Sequence, residues 1–169
     1  VKFGISFTLS HYNQAGAYVL IYSDGTVQVN HGGTEMGQGL YTKILGVAMR
    51  ELGLPAANIR VMPTSTDKVP NTSATAASSG ADLNGAAVAA ACVTLRERLA
   101  AVAAALLAEL GVGVSSLATV ATKVTPTGID PSDVVFAEGA VFARSNPSVR
   151  LPSPRVSAKP YTERISLAA

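Results

Sequence analysis

The sequence has no tryptophan, and phenylalanine and tyrosine together make up only 5% of its 169 residues. Its core must therefore be built from aliphatic side chains. Hydrophobic residues make up 48% of the chain, which excludes an intrinsically disordered segment. Charged residues make up only 14%, and the formal net charge is +2. Such a small charge gives no reason to predict binding to nucleic acid or to an anionic membrane.

Long apolar runs are also missing, since none reaches the roughly 18 residues that a membrane-spanning helix needs. No signal peptide is visible. The single cysteine, Cys92, cannot form an internal disulfide, and its position among alanines predicts a buried, unreactive thiol. These features favour a reducing cytoplasm. Because the chain begins at Val1 inside an apparent strand, without an initiator methionine, we expect it to be an interior piece of a longer polypeptide.

Local patterns predict a series of strands and helices. Asp24-Gly25 between two β-branched runs indicates a hairpin, and Gly53 followed by Pro55 ends a helical period. Strands are predicted at 3–9, 18–22, 26–30, 59–62, 134–136 and 140–143, and helices at 38–52, 82–110 and 153–167, with Gly111 and Gly113 ending the second helix.

These elements predict an α+β fold, in which a mixed sheet of hairpins packs against two main helices. An α/β arrangement with parallel strands is the alternative. The expected organisation is a core at 1–110, a connector at 111–132 rich in Gly, Ser, Thr and Pro, and a hairpin and helix of the same domain at 133–169.

Two segments carry the strongest functional signal. Four of the eight residues at 32–39 are glycine, which lets the backbone approach a ligand closely. The segment 70–82 consists mainly of small and hydroxyl residues. Each leads into a predicted helix, and a helix N-terminus offers unpaired N–H groups to phosphate. Two such sites side by side predict a large, flat, phosphate-bearing cofactor. No P-loop or dinucleotide fingerprint is present.

The runs Gly33–Gly39 and Asn71–Asp82 resemble the two molybdopterin-cradling segments of the xanthine dehydrogenase/aldehyde oxidase family. Lys2–Thr8 and Asn13–Ala17 narrow the resemblance to the xanthine dehydrogenase branch. It extends from Lys2 to about Arg98, is weak over 99–132, and returns over 133–167. The fold it implies is part of the molybdenum cofactor-binding domain, with 1–110 as the molybdopterin-cradling core.

The resemblance implies that Gly37 and Gln38 contact the molybdopterin, through backbone and side chain respectively. Ala77 would lie against the molybdenum, and Ser78, Ser79 and Gly80 would hold the cofactor phosphate. Gly80 stands where other members can carry serine, which costs one hydroxyl contact. The plain alternatives are a water-facing Gln38, alanines chosen for packing, and a serine-rich helix cap.

Four further polar residues are expected to have structural roles. Glu35 is not expected to be a general base, because the catalytic glutamate of the family lies beyond Ala169; Thr34 and Glu35 are expected to order the loop. His11 and His31 have no partner at metal-ligand spacing and are expected to be solvated or capping residues. No catalytic residue is therefore expected within this chain.

The resemblance also implies a function for the parent protein. It would be a molybdenum hydroxylase that oxidises xanthine or hypoxanthine to urate, with electrons passing through iron–sulfur centres and FAD to NAD. The partners would be the rest of the molybdenum subunit, an iron–sulfur/FAD subunit or domain, and the purine. We expect the isolated chain to be inactive and to hold only part of the cofactor site. The alternatives are an aldehyde oxidase or another ring hydroxylase, or a non-catalytic scaffold domain.

Overall fold

The computed structural model describes residues 13–68, 72–75, 79–115 and 128–163. The described elements are strands β1 (Ala17–Ile21), β2 (Val27–His31) and β3 (Ile59–Val61), helices α1 (Leu40–Leu52) and α2 (Gly80–Ser115), strands β4 (Val134–Ala137), β5 (Ala140–Ala143) and β6 (Asn146–Pro152), and helix α3 (Ser153–Glu163). Short 3-10 turns at Ala56–Asn58 and Pro131–Asp133 precede β3 and β4.

The first sheet has the order β1-β2-β3 and is mixed. β1 and β2 form the antiparallel hairpin that Asp24-Gly25 predicts, with Ala17 opposite His31 and Ile21 opposite Val27. The turn is closed by the Asp24 carboxylate, which accepts from the backbone N–H of Thr26 at 2.9 Å. β3 runs parallel to β2, so the chain needs a crossover, and α1 supplies it. The glycine-rich loop occupies the start of this crossover.

Helix α2 forms the centre of the core. α1 presents a stripe of four buried residues at a spacing of four to the core: Leu40, Ile44, Ala48 and Leu52. α2 is apolar on several faces, and Val88, Leu95 and Leu107 are almost completely buried. A helix that is hydrophobic around its circumference has to be enclosed by other elements. Here α1, the first sheet and the β4–β6 sheet all pack on it.

The second sheet, β4-β5-β6, is antiparallel. It is joined to α1 at Gly53, whose carbonyl accepts from the Gly139 N–H at 2.8 Å. Gly53 ends α1 in the left-handed region with φ 65°, a conformation that glycine adopts without strain. The end of α1 and the β4–β5 turn are therefore fixed to each other through backbone.

The α+β class is confirmed, with hairpins in two small sheets where we expected one. β6 was not predicted, because its first residues, Asn146 to Ser148, are polar and exposed and show no alternation. α2 continues through Gly111 and Gly113 to Ser115. The prediction that these glycines end it was wrong, since about 1 kcal/mol per glycine does not stop a long helix that is already formed.

Several predictions lie outside the described residues: the strand at 3–9, the end of the last helix at 164–167, and most of the connector. The division at 110 and 132 therefore stays a prediction. In the part of the chain that is described, no helix combines the length and the apolar character needed to cross a membrane.

The thiol of Cys92 is expected to be inert in the native protein. Cys92 is fully buried in α2, and burial, followed by the nearby Glu51 carboxylate, raises the pKa of its thiol to about 12. At neutral pH it then carries roughly a thousandfold less thiolate than an exposed cysteine. Titration with Ellman's reagent should show no reaction until urea is added. Rapid stoichiometric labelling of the native protein would contradict the burial.

Candidate functional site

The glycine-rich loop between β2 and α1 is organised by Glu35. One carboxylate oxygen of Glu35 accepts from the N–H groups of Gly37 at 2.9 Å and Gly39 at 3.0 Å. The other accepts from the Tyr41 N–H at 3.0 Å. These bonds, that of Tyr41 first, lower the pKa of Glu35. Gly39 is the N-cap and has no side chain to cap with, so Glu35 performs this role from within the loop.

This arrangement confirms that Glu35 orders the loop. It also corrects in part the expectation of unpaired N–H groups at the N-terminus of α1, because those of Gly39 and Tyr41 are already bound to the Glu35 carboxylate. A carboxylate already lies there, and its negative charge opposes a second anion.

Gln38 is exposed, and both ends of its amide bond within the loop. Its Oε1 accepts from the Met36 N–H at 2.6 Å, and its Nε2 donates to the Thr34 carbonyl at 2.9 Å. One amide hydrogen remains for a ligand. A Cβ atom at Gly37 or at Gly39 would meet nothing within 4 Å. This face of the loop is therefore open and uncrowded, as a flat ligand requires.

The second segment packs directly against the loop. The Thr34 N–H donates to Oγ1 of Thr75 at 2.8 Å. A Cβ at Gly32 would overlap Thr72, lying 2.5 Å from its Cβ and 2.8 Å from its Cγ2. Glycine is thus required at 32 for the close approach of the two segments. The motifs that lie some forty residues apart in sequence are adjacent in space.

The structure describes some of the expected site residues and not others. Gly37 and Gln38 lie on the exposed loop, and Gly80 begins α2 beside Thr75, whose Cγ2 would be 3.4 Å from a Cβ at Gly80. Ser79 is 7% exposed, and its carbonyl accepts from the Leu83 N–H in the first turn of α2. Ala77 and Ser78 lie outside the described residues, as does Ala76. Contact of any of them with a cofactor stays a prediction.

A polar layer supports the loop from below. His31 is completely buried, and its Nδ1 accepts from the Gly33 N–H at 3.1 Å. Burial lowers the pKa of His31. The hydroxyl of Thr64 donates to the Gly33 carbonyl at 2.7 Å, and the Thr64 N–H donates to the Tyr41 hydroxyl at 2.9 Å. The sequence predicted that His31 would be either solvated or a capping residue. The structure shows that it caps backbone and is not solvated. His11 lies outside the described residues.

Sequence reasoning missed Tyr41, Thr64 and Asn84 as parts of this layer. Asn84 is 2% exposed, and its Nδ2 donates to the Gly80 carbonyl at 2.9 Å. The sequence did indicate a role for Asn84, because a lone asparagine in an alanine-rich, buried helix needs a hydrogen-bond partner. Tyr41 and Thr64 gave no such signal, since their contact depends on the crossover.

The described residues hold no group of three or more His, Cys, Asp and Glu side chains that could bind a metal ion directly. The open glycine face and the small residues of the second segment instead fit a metal that arrives within an organic cofactor. The donor that the described loop leaves available is one amide hydrogen of Gln38, which suits a pterin edge.

The chain matches both a family model and individual known proteins. A family model described as the molybdopterin cofactor-binding domain matches residues 1–169. The chain is 60% identical over 98 residues to a xanthine dehydrogenase/oxidase of Mus musculus. It is 58% identical over 99 residues to a xanthine dehydrogenase of Calliphora vicina. These matches cover 58% and 59% of the chain, which spans only 7% of the length of either relative.

Two solved structures share the fold. Quinoline 2-oxidoreductase from Pseudomonas putida 86 has a TM-score of 0.73 and 24% identity, and the match covers 93% of this chain and 18% of that one. A Cu,Mo-CO dehydrogenase has a TM-score of 0.71 and 20% identity, with 92% of this chain and 18% of that one covered. At such identities the likeness shows the fold alone.

Proposed function

Because the chain belongs to the family of molybdopterin cofactor-binding domains, we propose that its loop 32–39 and its segment 72–80 form part of the cradle for molybdopterin. The observation that carries the proposal is the packing of these segments on each other, through the Thr34–Thr75 hydrogen bond and the Gly32–Thr72 contact. The open face at Gly37 and Gly39 adjoins this junction.

The residues divide between the two ends of the cofactor. Gly37 and Gln38 meet the pterin, Gln38 through its remaining amide hydrogen and Gly37 through its open face and carbonyl, because its N–H is bound to Glu35. Ser78, Ser79 and Gly80 hold the phosphate, with the positive end of the α2 dipole behind them. Ala77 would lie against the molybdenum, where its small side chain would leave room for the metal. When bound, the cofactor supplies the redox chemistry, and the chain supplies orientation.

For the parent protein, we propose a molybdenum hydroxylase of purine catabolism. The relatives at 58–60% identity are xanthine dehydrogenases, which supports xanthine or hypoxanthine as substrate and urate as product. Electrons would pass through iron–sulfur centres and FAD to NAD, in other domains or subunits that partner the rest of the molybdenum subunit. The location would be the cytoplasm. An aldehyde oxidase or another ring hydroxylase would use the same cradle.

The test is to purify the full-length protein that carries this chain, to measure its molybdenum and iron, and to compare the oxidation of xanthine, an aldehyde and quinoline. The proposal expects stoichiometric molybdenum and preference for xanthine. Preference for an aldehyde or quinoline would be consistent with the proposed cofactor site but would contradict the proposed substrate. If the protein folds but contains no molybdenum, even when the cells are supplied with molybdate, the alternative of a non-catalytic scaffold domain is favoured.

The isolated 169-residue chain is expected to oxidise no xanthine and to retain little molybdenum. The physical reason is that the chain spans 7% of the length of its relatives, so it supplies only some of the interactions that hold a cofactor. Each reduction of about 1.4 kcal/mol in binding free energy lowers the affinity tenfold. Elemental analysis after purification measures the molybdenum, and urate formation measures the activity. Turnover above that of a molybdenum-free sample would contradict this prediction.

A further inference from the structure

Two buried polar atoms lie beneath the glycine-rich loop without a hydrogen-bond partner among the described residues. They are Nε2 of His31 and Oδ1 of Asn84. His31 is 0% exposed and Asn84 is 2% exposed, so bulk water does not satisfy them. Because native proteins seldom leave buried polar atoms without a hydrogen bond, we expect each of these atoms to have a partner.

The hydrogen bonds that the two side chains make fix the polarity of both atoms. Nδ1 of His31 accepts from the Gly33 N–H, so the proton of a neutral ring lies on Nε2, which is then a donor. Burial lowers the pKa of His31, and the ring is neutral at pH 7. Nδ2 of Asn84 donates to the Gly80 carbonyl, which leaves Oδ1 as an acceptor.

Both side chains adjoin the same glycine. His31 binds the Gly33 N–H at 3.1 Å, and a Cβ at Gly33 would lie 2.8 Å from Nδ2 and 3.1 Å from Cγ of Asn84. His31 ends β2 and Asn84 belongs to the first turns of α2. The unpaired donor and the unpaired acceptor thus come from the two elements that carry the two cofactor-facing segments.

We propose that Nε2–H of His31 and Oδ1 of Asn84 bind one buried water molecule, which links the end of β2 to α2 beneath Gly33. An anion would be opposed by Oδ1, and a cation would be opposed by Nε2–H. A neutral molecule of one heavy atom that accepts and donates satisfies both, and buried waters commonly bridge such groups. That this water positions the cradle rests on the proposed function; that it binds does not.

The direct test is a high-resolution crystal structure of the full-length protein. The expected result is an ordered water oxygen about 2.7–3.2 Å from both atoms. Absence of this density, or a direct bond from either atom to a protein group, overturns the proposal. Molybdenum content is measured separately, so failure of the water site leaves the proposed function standing, and failure of the cofactor to bind leaves the water site standing.

Two substitutions at His31 separate its two nitrogens. His31→Asn keeps an acceptor near the position of Nδ1 and removes the Nε2 donor, so the water should be lost while the Gly33 N–H stays bound. His31→Gln keeps a donor near the position of Nε2 and removes the Nδ1 acceptor, so the water should remain. A water that persists in His31→Asn, or that is lost only in His31→Gln, refutes the assignment. If neither variant folds, the native crystal structure still decides.

Discussion

Replacement of Gly53 by alanine is expected to lower the free energy of unfolding by about 3 kcal/mol or more. The new Cβ would fall on the carbonyl group of Phe136 and lie 2.7 Å from the Ala137 N atom. Both are backbone of β4, which cannot rotate away as a side chain can. Gly53 also has φ 65°, where an L side chain is strained. Overlap and backbone strain therefore act together.

The chain provides a matched control in α1. A Cβ at Gly46 would meet nothing within 4 Å, so Gly46→Ala adds the same methyl group to a free helical position and should raise stability by about 0.5–1 kcal/mol. Urea unfolding of both variants beside the unmodified chain, followed by circular dichroism, gives the comparison. If Gly53→Ala cost no more than about 1 kcal/mol, the typical effect of removing one helix cap, the proposed overlap with β4 would be wrong.

Replacement of Glu35 by alanine is expected to lower the molybdenum occupancy of the full-length protein roughly tenfold when cofactor is limiting, the scale of removing one helix cap that acts on a binding equilibrium. Without the carboxylate, the N–H groups of Gly37, Gly39 and Tyr41 lose their acceptor. The loop keeps the bonds of the Gln38 amide and of the Thr34 N–H, but the turn at Gly37 and Gly39 becomes less ordered. Molybdenum measured per protein by mass spectrometry gives the result.

The pH at which this effect applies follows from the pKa of Glu35, which is lowered below 4.5 in the folded protein. A carboxyl group with a lowered pKa contributes its stabilisation fully above the unfolded value and loses it as the pH falls through the folded value. The contribution is therefore complete at pH 7, where the assay is done.

Glu109→Ala is the control for Glu35→Ala. Glu109 is an exposed carboxylate on α2 in a 4.0 Å pair with Lys159, and such pairs contribute little. The Glu109→Ala variant should have the same molybdenum content as the unmodified protein. Equal occupancy in the two variants would show that order in the loop does not matter for the cofactor. Glu35→Gln, which keeps one acceptor oxygen, should lie between them.

The features that the sequence predicted correctly were mostly local. The hairpin at Asp24-Gly25, the stop of α1 at Gly53 and the glycine-rich loop each depend on residues close together in the chain. β6 pairs with the neighbouring β5, but its exposed first residues show no alternation that reveals a strand. The division into two sheets depends on contacts between distant parts of the chain. The burial of both Asn30 and His31 at the end of β2 likewise breaks the alternation from which a half-buried strand is inferred.

The site shows the same division. The cofactor contacts predicted for Gly37, Gln38, Ala77, Ser78, Ser79 and Gly80 stay predictions, and the bonds from Glu35 to the loop depend on a turn that composition does not specify. One of those bonds occupies the Gly37 N–H that the sequence had left free for a ligand. The hydrogen bonds between Tyr41 and Thr64 cross from a helix to a loop, and only the folded chain brings these residues together.

The internal bonding of the loop bears on the order of assembly. Since Glu35 and Gln38 bind the loop backbone from within, and His31, Thr64 and Thr75 bind it from neighbouring elements, the entropy of fixing the glycines is lost when the polypeptide folds. Under the proposed function, the cofactor would bind a loop that is already ordered, and its affinity would not be reduced by an ordering step. Maturation would then proceed in two stages, with folding of the apoprotein first and insertion of the cofactor second.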